Sequence, residues 1–292
     1  MQYFLDGEQI SVAVESKGAE ICSIYNKKTQ KEILWQADPD IWDRHAPLLF
    51  PHCGNVWDKQ LKVQGRAYPA AQHGFARNFE FACSRHDKKA LVFRLQNSPL
   101  TQNYYPYQFA LEVEYTLAGG SLRQQVRVVN QGNALLPFTL GFHPGFALPF
   151  GWHPKTTRYQ VVFEVPESPM EIETVNGYVS GKKTLLFENQ KSMELSPTLF
   201  EVDSICLTGL KSRYIDLCPV DAGKETIRVY IEGFPYVLLW APAVGTLPLL
   251  CIEPWHGLPD GPQRYGEFEN KPGQTLLQPG KTFDTALTIE LL

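Results

Sequence analysis

The chain has 292 residues, enough for one large all-β domain or two ordinary ones. With 43% hydrophobic and 20% charged residues it carries the material of a sizeable core, which excludes a disordered chain. The 27 Lys and Arg against 31 Asp and Glu, with no basic run, leave a nucleic acid no continuous electrostatic footprint.

The predicted elements start near the N-terminus. Ile10, Val12 and Val14 alternate with period two, the pattern of a strand with one dry and one wet face. The opening stretch, MQYFLDGEQI, lacks a basic region followed by an apolar one, so no secretory signal is expected and a cytoplasmic location is. The alternation returns at Leu111, Val113, Tyr115 and Leu117, and a turn is expected at Gly119-Gly120. The cluster Asn130-Gln131-Gly132-Asn133 marks another turn. Ile227, Val229 and Ile231 predict a further strand. The apolar stretch from Tyr236 to Ile252 is broken by Pro242, Gly245 and Pro248 and falls short of the ~20 residues of a membrane span, so core strands and a turn are expected there. Leu287, Ile289 and Leu291 alternate again, which predicts a C-terminal strand inside a sheet.

Sustained 3.6-residue apolar spacing is missing, while 22 Gly and 22 Pro punctuate the chain at short intervals. The expected fold is therefore all-β and antiparallel. With no internal repeat, low-complexity linker or compositional break, residues 1–292 are expected to form a single domain. The six cysteines are scattered without a CxxC pair and read as buried, reduced thiols.

Three segments gather polar, ionisable residues among apolar, Gly and Pro neighbours: QHGFARNF (72–79), LGFHPGFALP (140–149) and LCIEPWHGLPDG (250–261). In the third, a dry strand pattern runs from Leu249 to Ile252 and is expected to end at Glu253, because Pro254 cannot continue a central ladder. Desolvation there raises the proton affinity of the carboxylate and strengthens it as a base. The other reading is a Glu in a structural ion pair. His143 sits between Gly141 and Gly145, small residues that let a ligand approach the backbone; a satisfied structural histidine is the alternative. His73 carries the same two readings, and Arg77 reads equally as a carboxylate partner holding a loop.

His52 and Cys53 have no metal-ligand partner at a recognisable spacing, so no metal is expected. The strings of a nucleophile elbow, a dinucleotide site and a P-loop are missing. Trp42, Trp57, Trp152, Trp240 and Trp255 would suit stacking on sugar rings, and a large β core accounts for them as well.

Taken together and in order, the HGFAR string at His73 to Arg77, the histidine in a Gly/Phe-rich turn at His143, and Glu253 followed by Pro259-Asp260 resemble the aldose 1-epimerase, or galactose mutarotase, family. The resemblance covers nearly the whole chain. It implies a large antiparallel β-sandwich, the galactose mutarotase-like super-sandwich, with a sugar cleft on one sheet. It also implies a cofactor-free isomerisation in which Glu253 takes the proton of the anomeric hydroxyl while His143 protonates the ring oxygen. The sugar ring then opens and recloses as the other anomer. His73 would hold the sugar near its ring oxygen, and Asp203 resembles the family aspartate that binds sugar hydroxyls, a turn carboxylate being the plainer reading. A neighbouring carboxylate is expected to lift the pKa of His143 above the usual imidazole value of about 6.5, with burial pulling the other way.

The chain departs from familiar mutarotases in APLLFPHCGNVW, where they place an Asn-Arg pair; here His52 and Asn55 occupy that neighbourhood, with Arg44 upstream, and these three join Arg77 as candidate sugar contacts. The glutamine usual after the glutamate is also missing, which marks a divergent branch. A hexose-6-phosphate epimerase is one alternative, requiring arginines such as Arg44, Arg66 and Arg77 to converge on a phosphate. A non-catalytic carbohydrate-binding or sensing protein is the other. The expected partner is a small sugar, with no nucleic acid or membrane, for a chain acting as monomer or homodimer.

Overall fold

A computed structural model describes residues 1–150, 158–221 and 225–292. Trp152, one of the tryptophans singled out for stacking, lies outside the described residues. Among those described, two large antiparallel sheets dominate. The first has nine strands, in the order Gln190–Glu194, Tyr159–Glu167, Tyr214–Pro219, Ile227–Tyr230, Thr282–Leu291, Ser121–Asn130, Phe109–Ala118, Ala90–Gln96 and Ala82–His86. The period-two segments sit where alternation predicts. Phe109–Ala118 and Ser121–Asn130 pair from Phe109↔Asn130 to Ala118↔Ser121, so the hairpin closes on Gly119-Gly120. The C-terminal strand is central, paired with Ser121–Asn130 on one side and Ile227–Tyr230 on the other.

The second sheet runs Tyr178–Leu185, Met170–Val175, Ile205–Thr208, Tyr236–Trp240, Leu249–Trp255, Gly141–Phe142 and Leu48–Leu49, with Gly145–Ala147 also pairing on Leu249–Trp255. The long apolar stretch is thus two core strands and their connection. Alternation decides which residue faces which side. Leu239, Leu250 and Ile252 join Val229, Leu217 and Ile289 of the first sheet in the main core, whereas Leu238 and Trp255 belong to a smaller cluster on the opposite face. Glu253 stands opposite Leu238 and Cys251 opposite Trp240 in the ladder, which puts both on that outer face. A four-stranded N-terminal sheet, Gln2–Asp6, Ile10–Glu15, Glu20–Asn26 and Lys31–Glu32, completes the large elements. No described helix is long and apolar enough to cross a membrane.

A buried ion pair anchors the chain after the second sheet. Lys271 and Asp260 are 4% and 1% exposed and in direct contact. The Asp260 carboxylate also accepts from the Trp57 N–H at 2.8 Å and from the Tyr265 hydroxyl. This network holds Pro259 against Gly54, where a Cβ would stand 2.2 Å from the proline ring. Lys271→Met strands a carboxylate in the interior, so it is expected to lower unfolding free energy by roughly 3–5 kcal/mol. Denaturant titration checks this, and adding Asp260→Asn should recover much of the loss.

Candidate active site

Glu253 lies within Leu249–Trp255 and not at its end: the ladder with Tyr236–Trp240 continues through Val237↔Pro254 to Tyr236↔Trp255. The proline is tolerated for a reason that also builds the site. On the other side of the strand, Ile252 and His256 donate their N–H groups to the carbonyls of Pro144 and Leu140. Pro254 falls between them, and the rung it cannot make lies where the neighbouring chain leaves the sheet as Phe142-His143-Pro144. The excursion carries His143 over the outer face, and its Nε2 stands 3.2 Å from Oε2 of Glu253.

The glycines beside His143 serve packing between protein groups. A Cβ at Gly141 would meet Cδ1 of Trp255 at 2.5 Å, and one at Gly145 would meet Cζ3 of Trp42 at 2.6 Å. Their space is filled by indoles, not left open for a ligand as expected. Trp42 stacks on the His143 imidazole, centroids 5.1 Å apart and planes 24° from parallel, and Trp240 meets it edge-on. The ring is thereby held on two sides, and its Nδ1 has no hydrogen-bond partner among the described residues.

His73 approaches His143 perpendicularly at 5.4 Å. It sits in left-handed backbone at φ +66°, followed by Gly74 at +75°, where a Cβ would collide with the Phe50 carbonyl at 2.2 Å. The Gly54 N–H donates to its Nδ1 at 3.0 Å, which places the neutral ring's proton on Nε2. Asp203 accepts from the N–H groups of Gly177 and Ser204, each at 2.7 Å. His73, Arg77, His143, Asp203 and Glu253 line one cleft of about 220 Å³, together with Trp42, Trp240 and Trp255.

Burial governs the electrostatics. It drives the His143 imidazole down to about 3, with the Arg77 charge adding to the effect. It pushes the Glu253 carboxyl well above the usual range, with Asp203 adding to that. His73 is also held well below its usual value, by burial first and then by His143 and Arg77. The expectation that attraction would raise the His143 pKa is therefore reversed: desolvation of two buried rings and a carboxyl outweighs it. A charged imidazolium–carboxylate pair and a neutral imidazole–carboxylic acid pair contain the same number of protons. In the free cleft burial favours the neutral distribution, with one proton held between Nε2 and Oε2.

The aldose 1-epimerase family model matches residues 1–289. The chain belongs to the aldose 1-epimerase family. It is 33% identical to Protein LacX of Lactococcus lactis subsp. lactis over 99% of this chain and 98% of that protein. A galactose mutarotase related enzyme from Lactobacillus acidophilus superposes with a TM-score of 0.94 at 31% identity, covering 100% of this chain and 97% of the other. A galactose mutarotase-like protein from Lactobacillus casei ATCC 334 gives 0.91 at 28% identity over the full length of both chains.

Within this aldose 1-epimerase fold, three of the expected sugar contacts are not among the residues that line the cleft. Arg44 donates to the Arg77 carbonyl and to Asn78, and lies 3.7 Å from Glu20, bracing the 76–78 turn from outside. His52 is fully buried and borders a separate apolar cavity with Phe75 and Tyr104. Asn55 donates to the Asn176 carbonyl, tying down the turn that carries Gly177. Arg66 lies over the Tyr68 ring on an outlying hairpin, so no trio of arginines converges. Arg77 does reach the cleft, donating to the Gln72 carbonyl at 2.8 Å. Thr174, Gly177 and Ser204 also line it and were missed in the sequence, where neither a motif nor a charge distinguishes them.

Proposed function

We propose that this aldose 1-epimerase family member interconverts the α and β anomers of a free hexose. The observation that carries the reading is the 3.2 Å approach of His143 Nε2 to Glu253 Oε2 inside a sugar-sized cleft. An anomeric hydroxyl donating to Glu253 stabilises the carboxylate, and the shared proton then resides on His143. From there the imidazolium protonates the ring oxygen as Glu253 takes the hydroxyl proton, and C1–O5 cleavage gives the open aldehyde. Rotation about C1–C2 and the reverse transfers close the ring as the other anomer. Each proton transfer by a placed group contributes roughly 10²–10⁴-fold. His73, with its proton on Nε2, is suited to hold the ring oxygen side, while Asp203 takes sugar hydroxyls and Arg77 a further oxygen.

We favour a free hexose over its 6-phosphate because the dianion calls for clustered arginines and Arg44 and Arg66 are engaged elsewhere. Six unpaired cysteines support a cytoplasmic location, and the continuous family match over residues 1–289 supports one domain. Polarimetry of freshly dissolved α-glucose and α-galactose, with and without the protein, tests the reading. Faster decay of rotation is expected. Inertness toward every free aldose with turnover of glucose 6-phosphate would reverse the substrate assignment.

A further inference from the structure

Cys251 has no part in the proposed mechanism, yet it stands beside Glu253 on the outer face of its strand. Residues two apart on a strand share a face, so Cys251 and Glu253 stand side by side opposite Trp240 and Leu238. Pairing of Gly145 with Cys251 brings the chain that carries His143 directly over them. One donor atom from each of His143, Cys251 and Glu253 lies within 4.8 Å of the other two, and all three residues are buried. Beyond the 3.2 Å approach of His143 Nε2, Oε2 of Glu253 has no hydrogen-bond partner among the described residues, which leaves a buried oxygen under-satisfied.

We propose that His143, Cys251 and Glu253 form an inhibitory site for a thiophilic divalent cation of the Zn²⁺ class. The donor set is imidazole, thiolate and carboxylate, two of them anionic once bound, which balances a doubly charged ion. Tetrahedral zinc with bonds of about 2.0–2.3 Å separates its ligands by roughly 3.3–3.7 Å. The observed 3.2 Å between Nε2 and Oε2 already matches such an edge. Closing the widest gap needs side-chain movement of about 1 Å, since Zn–S is near 2.3 Å. His143 and Glu253 line the cleft, so the fourth position opens toward water. The cation removes both groups assigned to proton transfer, and sugar and metal exclude one another. The sequence did not show this set because no local spacing joins it: two donors come from one strand and the third from a chain paired alongside.

The inhibition rests on the catalytic assignment above, whereas occupancy of the site does not, and the experiment separates them. Cys83 and Cys218, the partly exposed thiols, are first replaced by serine to remove competing sulfur. Chelator-treated protein is then titrated with Co²⁺ as a spectroscopic probe, and Zn²⁺ inhibition of anomer exchange is followed by polarimetry. One equivalent of Co²⁺ should produce thiolate-to-cobalt charge-transfer absorption, absent in Cys251→Ser and Cys251→Ala. Loss of one ligand should raise the half-inhibiting Zn²⁺ concentration by at least about tenfold while leaving the metal-free rate unchanged. Inhibition should weaken as sugar is raised and reverse with chelator. Equal Zn²⁺ sensitivity with and without Cys251, or a cobalt complex lacking the charge-transfer band, overturns the site. A charge-transfer band in a protein that turns over no sugar would uphold the site and reject the catalytic reading instead.

Discussion

Glu253→Gln is expected to lower kcat by at least about 100-fold, the lower bound for losing a positioned proton acceptor. The amide keeps the volume of the side chain in a site that is 1% exposed, so neighbouring rings stay in place. It cannot take the anomeric proton at any accessible pH. The substitution should also stabilise the fold above neutrality, and the sign follows from burial. The carboxyl is raised well above its ordinary value in the folded protein, so its contribution to stability is present below about pH 4.3 and is lost as pH rises toward the folded value. Glutamine has no proton to lose and escapes that penalty. Polarimetric rates together with denaturant titrations at pH 6 and 8 check both halves. A variant retaining more than about a tenth of wild-type kcat would remove Glu253 from the base role.

His143→Asn should change the shape of the pH profile as well as its height. In the wild type the pair works while it holds one proton, so kcat/KM is expected to be bell-shaped. The acid limb marks entry of a second proton, which burial delays because it drives His143 down to about 3. The alkaline limb marks loss of the shared proton, which burial delays in the other direction through the raised Glu253 carboxyl. Each limb therefore reports the partner opposite to the one that ordinary pKa values suggest. With asparagine at 143 no imidazole remains to donate. The rate should fall by about 10²-fold or more, and the alkaline limb should vanish. The acid limb should move upward, because residual activity then requires Glu253 itself to be ionised against the pull of burial. Chelator belongs in these assays so that no adventitious cation occupies the pair. His73→Asn, by contrast, should raise KM and preserve the bell, since His73 is assigned to binding. An alkaline limb that survives in His143→Asn and disappears in His73→Asn would exchange the two histidines.

Strand placement was legible in the sequence because alternation is a local property: successive side chains of a strand point to opposite faces, so Leu111 to Leu117 and Leu287 to Leu291 declare their buried sides without reference to any partner. The three site segments were legible for a related reason, ionisable residues being costly among apolar and Gly/Pro neighbours unless something uses them. The meeting of those segments was not local. It required Gly145–Ala147 to pair with Leu249–Cys251 and the chain to leave the sheet opposite Pro254, so that His143 came to rest on Glu253. The same holds for the misread glycines. Gly141 and Gly145 are needed because Trp255 and Trp42 arrive from distant segments, which no inspection of the turn itself reveals. Arg44 and His52 lie near the cleft in sequence but behind its wall in space, one bracing a turn and the other fully buried. The protonation of the pair belonged wholly to the tertiary structure. Ordinary pKa values describe solvated groups, and only the packing of both partners out of water inverts them.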